Sequence, residues 1–239
     1  MSIAATTVVA EKTRRAKPIR RGLLATVIGL ALVTAACGSE DDPTATPAAA
    51  HEHSHDGDET SAAVELRQDM RKLWEDHVTW TRLYIVSAVA GLPDTDATAA
   101  RLLQNQADIG DAIAGFYGSE AGTQLTDLLR EHILVAADLL AAAKAGDTAA
   151  VEQQQAAWDA NAVEIAEFLA AANPAWPVEA LTDMMREHLD GTLAEATARL
   201  GGDWDADIAA YDRVHTHILT MADALTAGIV QQFPDRFEN

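Results

Sequence analysis

Residues 203–230 read DWDADIAAYDRVHTHILTMADALTAGIV. Within them Ile208, Tyr211, His215, Ile218, Ala222, Leu225 and Ile229 recur at alternating spacings of three and four. That is the stripe one face of an α-helix presents to a core, and it is too long and regular for a strand. Asp203, behind Gly201-Gly202, is a start signal, so the stripe predicts a helix over about 203–231.

The same period persists toward the N-terminus. Pro177 opens a helix near 178 with Leu181, Met184, His188 and Thr192 in line. Asn173-Pro174 ends another, over about 147–172, marked by Val151, Trp158, Ile165 and Leu169. A helix over about 119–144 carries Leu125, Leu128, His132, Val135 and Leu139. One over about 94–116 carries Leu102, Gln106, Ile109 and Ile113. The first, over about 62–91, carries Leu66, Met70, Leu73, His77, Trp80, Tyr84 and Ala88. Glycine, proline and aspartate break the chain between them. Six helices with short connections pack with antiparallel neighbours, so the expected fold is an all-α up-down bundle. Arg130-Glu131-His132 recurs as Arg186-Glu187-His188, and HILVAAD at 132–138 resembles HILTMAD at 217–223. These matches suggest an internal duplication.

Composition narrows the function. The 239 residues are 49% hydrophobic and 23% charged, which permits a sizeable core and excludes wholesale disorder. Seventeen basic against 37 acidic residues give a net charge of −20, a surface that repels phosphate backbones. A nucleic-acid partner is therefore not expected. The single cysteine excludes an intramolecular disulfide and a cysteine-rich zinc site.

That cysteine has an address. Lys12, Arg14, Arg15, Lys17, Arg20 and Arg21 precede an uncharged run over 22–36. The run is shorter than the ~20 residues a membrane span needs and fits the apolar part of a secretory signal. It ends Thr34-Ala35-Ala36-Cys37, which resembles the lipobox of bacterial lipoproteins, with threonine where leucine is usual. The resemblance implies cleavage after residue 36, lipid on Cys37 and anchorage to the outer face of the cell membrane. Loss of residues 1–36 would remove six bases and one acid, leaving 11 against 36, a net charge of −25. Residues 37–61 then form a disordered tether rich in Pro, Thr, Ala, Gly and acids, and 62–239 form the bundle. In the tether His51, His53 and His55 alternate with other residues, so an extended chain can aim all three imidazoles at one weakly held Zn²⁺, Cu²⁺ or Ni²⁺.

The strings WEDHVTWTR (74–82) and NAVEIAEF (161–168), with Met221-Ala222-Asp223 and Gly228-Ile229-Val230, resemble a family of small bacterial all-helical proteins to which no activity is assigned. The resemblance implies a single all-helical domain and transfers no catalytic residue.

Histidines are the chemistry-bearing residues of the bundle. His77, His132, His188 and His215 each interrupt an apolar stripe, where an unpaired polar group costs free energy. From the helix starts, the first three lie roughly 22, 20 and 15 Å along, and His215 roughly 24 Å from the same side. Four imidazoles in one middle layer would suit a Zn, Cu or Fe ion held between facing helices. On the last helix the heptad favours His215 and the internal similarity favours His217. Glu75, Glu131 and Glu187 point away from the stripes and are expected to orient imidazoles from outside. The Glu-x-x-His pattern of di-iron carboxylate bundles occurs only at Glu52–His55, and Asp212–His215 is the nearest variant. Trp74, Trp80, Met184 and Met221 could line a haem pocket but are also ordinary core residues. No Gly-rich phosphate loop, nucleophile elbow or HExxH is present. The expected function is a non-catalytic, lipid-anchored, metal-binding protein of the cell envelope. The alternatives are an interaction lipoprotein with incidental histidines, docking an envelope partner, and an iron- or haem-dependent oxidoreductase.

Overall fold

The structure, a computed structural model, describes residues 60–238. Cys37 and the tether histidines His51, His53 and His55 lie outside the described residues. Six long helices make up the domain: α1 (Ser61–Ala90), α2 (Thr95–Tyr117), α3 (Ser119–Ala145), α4 (Thr148–Ala172), α5 (Val178–Gly201) and α6 (Trp204–Gln232). A 3₁₀ turn, Pro234–Arg236, follows. The described residues contain no strand, and no described helix is long and apolar enough to cross a membrane.

The helix ends have local causes. The side chains of Thr60, Asp147 and Asp203 accept from backbone N–H groups of the first turns of α1, α4 and α6. Gly91, Gly146 and Gly202 end α1, α3 and α5 in the left-handed region, at φ 64°, 72° and 73°. A side chain there would meet the preceding turn, so glycine is the residue that lets each chain reverse.

Each helix packs against its neighbours in sequence, and α6 returns to α1, so the bundle closes as a ring. It is built from three helical hairpins, α1–α2, α3–α4 and α5–α6, with one spacing. His77, His132 and His188 sit on the first helices. The left-handed glycine follows each by fourteen residues, at 91, 146 and 202. Seven residues before each histidine stand Met70, Leu125 and Leu181, and one residue after stand Val78, Ile133 and Leu189; all six are buried. The internal similarity is therefore threefold in spacing, where the sequence fragments suggested two units.

The stripe of α6 corrects one expectation. Ile208 is 52% exposed, and Asp207, 1% exposed, takes the inward position instead. Over the first half of the helix the buried set is Asp207, Ala210 and Val214, one residue out of register with the expected heptad. Asp207 turns inward because two arginines meet it. Arg82 Nη1 and Nη2 donate to its two carboxylate oxygens at 2.9 and 3.2 Å, and Arg199 Nη1 donates to it at 3.2 Å. Arg82 also donates to buried Glu195 at 2.7 Å and lies over the Tyr211 ring at 4.8 Å. Aliphatic periodicity does not register an arginine supplied from another helix.

Candidate functional site

Three of the expected histidines meet in the middle of the ring. The His77 and His188 ring centroids are 5.6 Å apart, and those of His132 and His188 are 6.2 Å apart. All three side chains are buried. They come from α1, α3 and α5, which run parallel, and the equal spacing in the three hairpins puts them at one depth.

Each histidine faces the second helix of its own hairpin, at the position 29 residues further on: Gln106, Asn161 and His217. The middle hairpin shows the contact fully formed. His132 Nδ1–H donates to Asn161 Oδ1 at 2.9 Å, and the Asn161 amide is oriented by its own donation to Leu128 O. Trp158 Nε1–H donates to His132 Nε2 at 3.2 Å, so this ring is neutral with both nitrogens engaged. In the first hairpin Gln106 lies beside His77, yet neither His77 Nδ1 nor Gln106 Oε1 completes a hydrogen bond. In the third, His188 Nδ1 is likewise buried without a partner. Trp74, whose ring meets His77 edge-on at 5.7 Å, leaves its Nε1 unpaired as well. Buried polar atoms left in this state cost about 1–3 kcal/mol each.

Burial decides the charge state. Desolvation pushes His77 down to about 3, with the neighbouring His132 adding to the effect and Gln106 opposing it. Desolvation takes His132 to about 4, against the Asn161 hydrogen bond. His188 falls well below its ordinary value, first through burial and then through His77, His132 and His217. All three are neutral at pH 7, the form in which imidazole binds metals.

His215 does not belong to this layer. Its Nε2–H donates to Glu75 Oε1 at 3.0 Å on the outer side of the bundle, where the side chain is 31% exposed. The physical reason is the shifted register of α6: with Val214 and Ile218 facing in, position 215 is carried outward. His217 is the α6 histidine nearer the layer. Its Nε2–H donates to Met184 O at 2.9 Å, Nδ1 lies 3.4 Å from Glu187 Oε2, and its charge bears on His188. Glu75 and Glu187 thus lie against the imidazoles of α6, His215 and His217, from outside. Among the described residues, no group of three or more His, Cys, Asp or Glu side chains stands in an arrangement that could hold a metal ion as it is.

Periodicity put Trp158 on the core stripe, where it is buried, but missed Asn161 and the Arg82–Glu195–Asp207 network. Asn161 carried a readable signal, since Gln106, Asn161 and His217 share one offset from three histidines. Compared with known proteins, the chain matches no family model, no curated protein and no solved structure.

Proposed function

We propose that the protein is an exported, lipid-anchored bundle that binds a transition-metal cation through His77, His188 and His132. One observation carries the reading: three neutral imidazoles lie at one depth on three equally spaced hairpins, and two keep a buried Nδ1 with no partner. Two rings ligating one ion at ~2 Å hold their centroids roughly 5–6 Å apart, close to the separations here. His132 joins by exchanging the Trp158 indole for the metal at Nε2, while Asn161 keeps hold of Nδ1, as outer-shell carbonyls do for ligating histidines. The all-imidazole donor set suits Zn²⁺, Cu²⁺ or Ni²⁺. Haem is left out of the proposal, because the cavity beside the layer holds about 160 Å³, well under the ~300 Å³ at which small-molecule pockets begin.

A metal that binds the native state alone stabilises it by mass action. In a full-length chain with His51, His53 and His55 changed to alanine, Zn²⁺ at about a hundred times its Kd should raise the melting temperature by about 5–10 °C. His77→Ala and His188→Ala should each abolish most of that rise, and His215→Ala should leave it whole. An unchanged melting temperature across Zn²⁺, Cu²⁺ and Ni²⁺ would remove the reading. The complete hydrogen bonding of His132 favours the second reading, a polar core layer in an interaction lipoprotein, and that outcome would select it.

The leader supports an anchored location for this site. Cys37→Ser should move the exported protein from the detergent phase to the aqueous phase on extraction, because it removes the thiol that carries the lipid. Equal partitioning of the two forms would refute the anchor and leave the metal site untouched.

A further inference from the structure

Beyond the histidine layer lies a cavity of about 160 Å³. Its buried walls are Ile85, Leu102, Ile133, Leu139, Leu140 and Trp158. It lies next to the layer, since Thr81 and Thr192, which also line it, stand one turn beyond His77 and His188. The polar atoms at this end are already committed. The Thr81 hydroxyl donates to His77 O at 2.7 Å, the Thr192 hydroxyl donates to His188 O at 2.9 Å, and the Trp158 indole donates to His132. Tyr84, half-buried, also lines the space.

A buried water needs two to four polar partners; apart from Tyr84 and the exposed Thr197, where the space meets solvent, the lining offers none that is uncommitted. An engineered apolar cavity of ~150 Å³ lined by Leu, Ile and Phe stays dry and binds benzene or xenon. A well-packed core of this size ordinarily closes such a space, because each unfilled methyl-sized gap is destabilising. Here alanine lines the space at Ala136, Ala137, Ala143 and Ala196, on two different helices.

We propose that this cavity is a binding site for one small apolar molecule, an aromatic ring or short branched alkyl group of six to eight heavy atoms. Bound there, the ligand would replace empty space over the histidine layer and shield it from solvent. The lining contains no histidine, and the proposal does not rest on the metal reading; the two share Trp158, so the test is made without metal.

The test uses the full-length chain after chelator treatment. Benzene near its aqueous solubility should raise the melting temperature by about 2–4 °C. Ala137→Leu on α3 and Ala196→Leu on α5 fill the space from two sides, and each should abolish that rise. In the unaltered chain, xenon under pressure should move the methyl resonances of Ile85, Ile133 and Leu140 more than those of Leu169 or Ile229, which lie in the core away from the cavity. Should benzene leave the melting temperature unchanged, or should xenon move all methyl groups alike, the proposal is overturned. It is equally overturned if the filled variants that fold keep the full benzene rise, since the ligand would then sit elsewhere.

Discussion

Replacing Arg82 by methionine is expected to lower the melting temperature by about 6–20 °C, the largest single effect predicted for this protein. Methionine keeps most of the apolar stem that Arg82 lays over Tyr211 and removes the guanidinium. What remains is two inward carboxylates, Glu195 and Asp207, both 1% exposed, with only Arg199 in reach of Asp207. Breaking a buried pair by removing one partner costs about 3–5 kcal/mol, because the other charge stays behind uncompensated. Desolvation raises Glu195 to about 7 despite the Arg82 hydrogen bond. Without Arg82 the Glu195 carboxyl rises further and takes up a proton, so the charge left behind is that of Asp207, and Arg82→Met with Asp207→Asn should recover part of the loss. Thermal melts at pH 7.5 decide the matter, and a single variant within about 1 °C of the original chain would show that the network contributes nothing.

The second large effect is acid sensitivity of the chelator-treated chain. Histidines held below their unfolded value bind protons in the unfolded state that they do not bind in the native one. Their contribution is intact above pH 6.5 and is lost as the pH falls toward the folded values, about 3 for His77 and about 4 for His132. Between pH 7 and 4.5 each such histidine removes about 2–3 kcal/mol of stability. Glu195 acts in the opposite sense. Raised from 4.5 to about 7, it favours the native state at low pH and withdraws that support as the pH rises toward 7. Three histidines outweigh one glutamate, so unfolding near pH 5 should take up about two protons net. Urea denaturation at pH 7 and 4.5 should then differ by several kcal/mol. A midpoint that is flat over this interval would mean that water reaches the layer and the imidazoles titrate normally.

Most of the architecture was legible because it rests on signals a single helix carries. All six helices fall within a few residues of where stripes, aspartate caps and glycine stops put them. The expected inward positions of α2, namely Leu102, Gln106, Ile109 and Ile113, are all buried. The failures have one origin. Ile208 was assigned to the core by hydropathy, and it is Asp207 that turns inward, because the compensating arginines belong to α1 and α5. That half-stripe shift also carried His215 out of the layer to meet Glu75 and brought His217 toward His188. Three of four depth-matched histidines converge because depth along a helix follows from counting residues at a fixed rise. Rotation about the axis depends on what the facing helices supply, which no stripe on one helix records. Likewise, Trp74 is buried and Leu73 only partly so, since Trp74 packs edge-on against His77.

Were His77, His132 and His188 ligands of one cation, as proposed, their ring nitrogens would respond to it together. Long-range ¹H–¹⁵N spectra of the imidazoles read this directly, because a ring nitrogen shifts when it ligates and the two nitrogens of each ring are resolved. The sample is the full-length chain with His51, His53 and His55 changed to alanine, titrated with Zn²⁺. The account predicts that one nitrogen in each of His77, His132 and His188 moves in concert and stops at one equivalent, with Nε2 the shifting atom of His132 and its Nδ1 proton retained toward Asn161. His215 should keep its spectrum throughout. Spectra in which the three buried rings stay unchanged up to excess Zn²⁺, or in which only the surface ring of His215 responds, would contradict it.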